Sequence, residues 1–188
     1  YEELPRGETA ITLNAYDAMG RTEGVLGRYL QDVLDQLPGT GADIAKTVLA
    51  ALVSSQATKR VLSYGVLAAR VKAENDELED VLARLVDARL LCRDEQPGEV
   101  TYEMAHEYLV EEIMQWIDRE ELAFKEAEEL LAREVAHWQV YGGLIPQDRL
   151  ELLHAHSKRF IALDEDVRLW ILRSALKAGF AIGDWGRL

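Results

Sequence analysis

Leu78, Val81, Leu82, Leu85 and Val86 fall at i, i+3, i+4, i+7 and i+8. That spacing places them on one helical face about 100° wide. The period then changes. Leu90-Leu91-Cys92 is a short apolar run, and Val100, Tyr102 and Met104 alternate with polar residues, the pattern of a half-buried strand. Between them Asp94 to Glu99, with Pro97-Gly98 at the tip, predicts a hairpin turn. Upstream, Val25, Tyr29, Val33 and Leu37 predict a first helix, stopped by Pro38-Gly39. Ile44, Val48, Leu49 and Leu52 predict a second, and Val66, Leu67 and Val71 a short third after Ser63. Three helices, then helix, strand, wing and strand, is the order of a winged helix.

Past His106 the pattern is helical again. Leu109, Ile113, Trp116 and Ile117 share a face. Asp118 followed by Glu121 resembles a capping box opening a long helix faced by Phe124, Ala127, Leu131, Val135 and Trp138. Gly142-Gly143 ends it. Pro146 suits the first turn of a further helix, with Leu150, Leu153 and Phe160 inward. Asp164 can cap the last helix, which carries Val167, Trp170 and Ile171, and Gly179 and Gly183 loosen the tail. Residues 1–21 lack periodicity and read as an extended linker. The expected fold is mainly α. A winged helix of four helices and a small β-hairpin spans 22–105, and an acidic all-α connector spans 106–188.

Composition narrows the function. The chain has 188 residues and is 48% hydrophobic, enough to bury a core. Its 34 acids against 21 Lys and Arg give a net charge of −13, which repels phosphate backbones unless a basic patch intervenes, and the sequence has none. The single cysteine, Cys92, cannot form an internal disulfide and fits a reducing, cytoplasmic setting. It reads as a small buried hydrophobe on a strand rather than a reactive thiol. No apolar run approaches the roughly 18 residues of a membrane span, and no secretory leader is visible. The lack of an initiator methionine and the end at Leu188 raise the expectation of a piece of a longer protein.

DNA reading is the first function a winged helix suggests. A reading helix carries Arg, Lys, Asn or Gln to base edges. Here residues 76–89 hold five acids and two arginines, and the end that would enter a groove carries Asp76, Glu77, Glu79 and Asp80. The wing, Asp94-Glu95-Gln96-Pro97-Gly98-Glu99, is acidic too. DNA is therefore not an expected partner.

Leu85-Val86-Asp87-Ala88-Arg89-Leu90-Leu91, then 102–110 with Ile113 and Trp116, resemble the winged-helix region of bacterial STAND-type signalling ATPases, relatives of the AAA+ group. The segment 29–38 looks like the lead into that region. In that family a P-loop ATPase core precedes the winged helix and a sensor or repeat region follows. The resemblance implies those two regions as partners within one protein, ADP or ATP as the parent's ligand, and allows oligomerisation on activation. It further implies that a histidine at the end of the winged helix faces the β-phosphate of ADP. The matching residue is His106, with Ala105 and Glu107 as its supporting motif. A histidine can donate to phosphate, more strongly when protonated. By position alone, His106 reads first as a capping or packing residue, and the resemblance brings the phosphate contact level with that reading. No G-x-x-x-x-G-K-[ST] string is present, and Pro38-Gly39-Thr40-Gly41 reads as a turn. The chain is not expected to be an enzyme by itself. The alternative reading is a stand-alone acidic protein-interaction module with no link to nucleotide.

Other candidates are weaker. His154 and His156 stand two apart on a helix, so their rings point to different faces, and no metal is expected. His137 reads as a surface or packing residue. Residues 107–134 hold ten acids against three basic residues. They read either as a surface for a basic partner or as a solvated face laced with Glu121–Lys125 and Glu129–Arg133 pairs. Trp116, Trp138 and Trp170 are expected in the core, and Trp185 against a domain outside the chain. No catalytic constellation stands out.

Overall fold

The computed structural model describes residues 21–71, 73–160, 163–180 and 185, with side chains from Leu26 onward. Of the expected linker over 1–21, residues 1–20 lie outside the described residues, as do the Val25 side chain and Gly183, and Arg21 is already helical. The chain divides into two compact units. One holds the residues through Val53 with Ala57–Trp116, and the other holds Ser54–Gln56 with the residues from Ile117 on. This division falls after Trp116 rather than after 105.

The first unit is mainly α with a small antiparallel sheet. Its elements are α1 (Arg21–Asp35), α2 (Gly41–Ala51), β1 (Leu62–Ser63), α3 (Tyr64–Arg70), α4 (Asn75–Asp87), β2 (Leu91–Gln96), β3 (Glu99–Met104) and α5 (Leu109–Met114). The sheet order is β1-β3-β2. The expected hairpin thus gains a third strand. Leu62 pairs with Tyr102 and Ser63 with Thr101. Two residues are too short to show a period, so β1 left no trace in the pattern. The expected six-residue turn is also tighter. Gln96 pairs with Glu99, leaving only Pro97 and Gly98 between the strands, and Gly98 takes φ 92°. Glycine meets that left-handed backbone without steric cost.

Packing explains which faces turned inward. In α4, Leu78, Val81, Leu82 and Leu85 are buried as expected. In α1 the buried stripe is Leu30 and Leu34, continued by Leu37 past its end, and Tyr29 is exposed. The expected stripe is one residue out of phase at Tyr29 and Val33, while its Leu37 is buried as expected. Both stripes satisfy i, i+4 spacing, and the leucines bury more apolar area without a hydroxyl to satisfy. Tyr29 sits at the rim, where its hydroxyl donates to the Ala88 carbonyl at 3.0 Å. In α3, Leu67 is buried but Val66 is exposed.

The second unit contains α6 (Arg119–Tyr141), α7 (Gln147–Ala155), a short 3-10 turn at Ser157–Arg159 and α8 (Glu165–Lys177). Asp118 caps α6 by accepting from the Glu121 amide at 2.8 Å. The Glu121 carboxylate does not complete the box. It pairs with Arg159 instead of the expected Lys125, and Lys125 is buried. Glu129 accepts from the Ser55 amide and hydroxyl at 2.8 and 2.5 Å, not from Arg133. Gly142 ends α6 at φ 69°. Asp164 occupies the N-cap of α8 without a side-chain cap bond. The core gathers Phe124, Leu131, Leu150, Leu153, Trp170 and Ile171. Trp138 stacks on Trp170 with centroids 4.9 Å apart, and the Trp170 indole donates to the Gly143 carbonyl at 2.8 Å.

Two tryptophans depart from expectation. Trp116 is 38% exposed, two residues past the end of α5 at Met114. Trp185 is buried in the second unit beside His154 and Phe180, so this ring needs no further domain to cover it.

Candidate functional site

β3 delivers the Ala105-His106-Glu107 motif to the surface. Tyr102 and Met104 on β3 are buried, which follows from the period of two. The Ala105 amide donates to the Leu90 carbonyl at 2.9 Å, tying the strand end to the turn after α4. The chain then swings into α5. The Leu109 amide donates to the His106 carbonyl at 3.3 Å, and the Val110 amide to the Glu107 carbonyl at 3.0 Å. These bonds hold the motif's backbone from both sides while His106 itself is exposed. Its ring makes no hydrogen bond among the described residues, so both ring nitrogens are open to solvent or a ligand.

Lys59 was not singled out by the sequence, yet it stands beside the motif. Its ammonium donates to the Met104 carbonyl at 3.3 Å and lies 3.8 Å from the Glu107 carboxylate. The two bonded residues are 45 positions apart in the chain, so no local pattern could have found the contact. Lys59 is part-buried and Glu107 exposed, and so loose a pair contributes little stability.

The acidic surfaces are real. Asp76, Glu77, Glu79 and Asp80 are exposed on the first half of α4, and Asp94, Glu95 and Glu99 are exposed on the wing. Arg84 is committed to Asp80 at 2.7 Å and Arg93 to Glu95 at 2.7 Å. The charge that bears on DNA therefore stays negative where a reading helix would meet phosphates.

The remaining candidates separate. His154 packs with Phe180 and Trp185, whereas His156 packs with Phe124, so the two rings do not converge. His137 is exposed and lies 5.0 Å from the Tyr141 ring. Among the described residues no group of three or more His, Cys, Asp and Glu could hold a metal. Cys92 is exposed rather than buried, because Leu91 takes the inward position of β2 and its neighbour must face out. No helix among the described residues is long and apolar enough to cross a membrane.

Residues 1–143 match the family model described as Novel STAND NTPase 1. The chain belongs to the novel STAND NTPase 1 family. No curated protein and no solved structure matches it. Within this novel STAND NTPase 1 chain, the matched stretch takes in the winged helix, α5 and all of α6, and α7 and α8 lie beyond it. The match gives no role to any single residue.

A nucleotide would find one fitting donor here, His106, and no cradle among the described residues. The glycines at the start of α2 serve packing and turn geometry. A Cβ on Gly41 would lie 3.1 Å from that of Leu37, and Gly39 takes φ 57°. The chain's own residues thus fit one contact to a phosphate and not a nucleotide pocket.

Proposed function

We propose that this chain is the regulatory winged-helix and helical connector part of a STAND-like signalling ATPase. It passes nucleotide state from an ATPase core to a downstream sensor or repeat region. Family membership supports the reading, and one observation carries it: His106 is exposed at the strand end, unbonded, on a backbone held from both sides. A donor so placed can meet an ADP phosphate presented by another part of the protein and leave it when the winged helix rotates. The parent's ATPase activity, the ADP or ATP it holds, its cytoplasmic setting and any oligomer formed on activation belong to the same proposal.

The test is His106→Ala in the full-length protein. A hydrogen bond to a charged group contributes about 1.5–3 kcal/mol, so ADP release should quicken roughly ten- to a hundredfold. An unchanged ADP release rate and unchanged signalling overturn the proposal. The exposed acids of α4 and the wing favour one second reading, an acidic protein-interaction module without nucleotide linkage. The coding sequence upstream separates the two, because only the first requires a G-x-x-x-x-G-K-[ST] loop there.

A further inference from the structure

A groove of about 1170 Å³ runs between the start of α3, the exposed side of α4 and the wing. It exceeds the roughly 300–1,000 Å³ of ordinary small-molecule pockets. Its wall is mixed. Val86 and Val100 supply part-exposed apolar surface with the buried Leu82 and Tyr102 behind them, and Glu79, Asp80, Asp87 and Glu99 supply acid. Arg93 is the one basic residue in the lining, and Glu95 holds it. Among the described residues Asp87 and Glu99 have no cation. Glu79 meets only the Tyr64 hydroxyl, which donates to it at 3.3 Å. Burial first, and then the charge of Glu79, push the Tyr64 hydroxyl above the usual phenol range.

A second observation concerns the backbone. β3 has six residues and β1 only two, and the β1 ladder stops at Ser63–Thr101 because Tyr64 turns into α3. No strand among the described residues pairs with Val100 on that side. In a two-residue hairpin the flanking pair, here Gln96 and Glu99, exchanges the ladder bonds. Alternation then turns the amide and carbonyl of Val100 away from β2, toward the edge that β1 vacates. Ser63, Tyr64 and Val100 all line the groove, so that edge opens into it.

We infer that this groove takes an extended protein segment carrying Lys or Arg alternating with apolar residues, added as a strand on β3 where β1 stops. Main-chain bonds to Val100 set its direction, its apolar side chains cover Val86 and Val100, and its cations reach Glu79, Asp87 and Glu99. Strand addition of this kind draws affinity from the backbone and specificity from alternate side chains. The inference is independent of the nucleotide reading.

The test titrates the isotope-labelled 188-residue chain with an unlabelled peptide of alternating lysine and valine, followed by amide chemical shifts. Saturable shifts centred on Val100, Tyr102 and Glu79 are expected. Glu79→Lys with Glu99→Lys, both at exposed positions, should weaken binding at least about tenfold, which is about 1.4 kcal/mol. The same peptide N-methylated on the nitrogens that face β3 keeps its charge and should lose affinity by a similar factor. A peptide with glutamate for lysine should not bind. Shifts confined to the acids of α6, equal binding of the N-methylated peptide, duplex DNA binding in the groove, or no saturable binding would each overturn the inference.

Discussion

Ser174→Ala isolates one buried hydrogen bond that decides how the loop between α6 and α7 sits. Ser174 is buried on α8, and its hydroxyl has two partners. It accepts from the Ile145 amide at 3.1 Å and donates to the Trp170 carbonyl at 2.8 Å. Alanine keeps the helix and removes both. The Trp170 carbonyl loses little, since it lies inside α8 and accepts from the helical ladder. The Ile145 amide loses its acceptor while Ile145 stays buried. Leaving a buried donor unsatisfied costs about 1–3 kcal/mol. The removed oxygen is small, so a cavity term adds little. The expected cost is thus about 2 kcal/mol within the second unit. Denaturant unfolding followed by tryptophan fluorescence measures it, analysed by unit because two units need not unfold together. Amide exchange at Ile145 should quicken in parallel. A midpoint and an Ile145 exchange rate both equal to those of the parent would refute the reasoning, because the amide would then have another partner.

Leu85→Ala removes a fully buried side chain from α4 and should cost the first unit about 2–5 kcal/mol, read as a lower denaturant midpoint with folded helicity retained. Arg89 adopts φ 56°, and the bonds from Leu90 to Leu85 and from Arg89 to Val86 form a Schellman ending. Arg89→Gly should therefore stabilise by up to about 1 kcal/mol, and a lower thermal midpoint would contradict that account. The raised Tyr64 hydroxyl has a signed consequence. Its folded pKa lies above the unfolded one, so its contribution is full below the usual phenol value and is lost as pH rises through the folded value. Glu79→Gln should bring the Tyr64 phenolate forward to lower pH in an ultraviolet titration referenced to Tyr64→Phe, and an unmoved titration would remove Glu79 as a cause.

The sequence by itself determined the parts whose signal is local and periodic. Leu78, Val81, Leu82 and Leu85 lie on one face whatever surrounds them, because 3.6 residues per turn fixes their alignment. Pro97-Gly98 determined the wing tip, and Asp118 determined the start of α6, since each acts on backbone within a few residues. The position of His106, where one period ends and another begins, was legible for the same reason, whereas Ala105 and Glu107 as its motif rested on the family resemblance. Tertiary structure decided what depends on residues far apart in the chain. It chose the Leu30–Leu34 stripe over the one through Tyr29, since two stripes one residue apart are equally periodic and only the packed surface selects between them. It placed Lys59 beside Glu107, gave Glu121 to Arg159 and enclosed Trp185, because long side chains follow whichever partner the fold brings within reach. It also turned Cys92 outward, a choice that rests on which neighbour the core could use. A charge or an apolar ring states what it can bind, but only the packed chain decides what it meets.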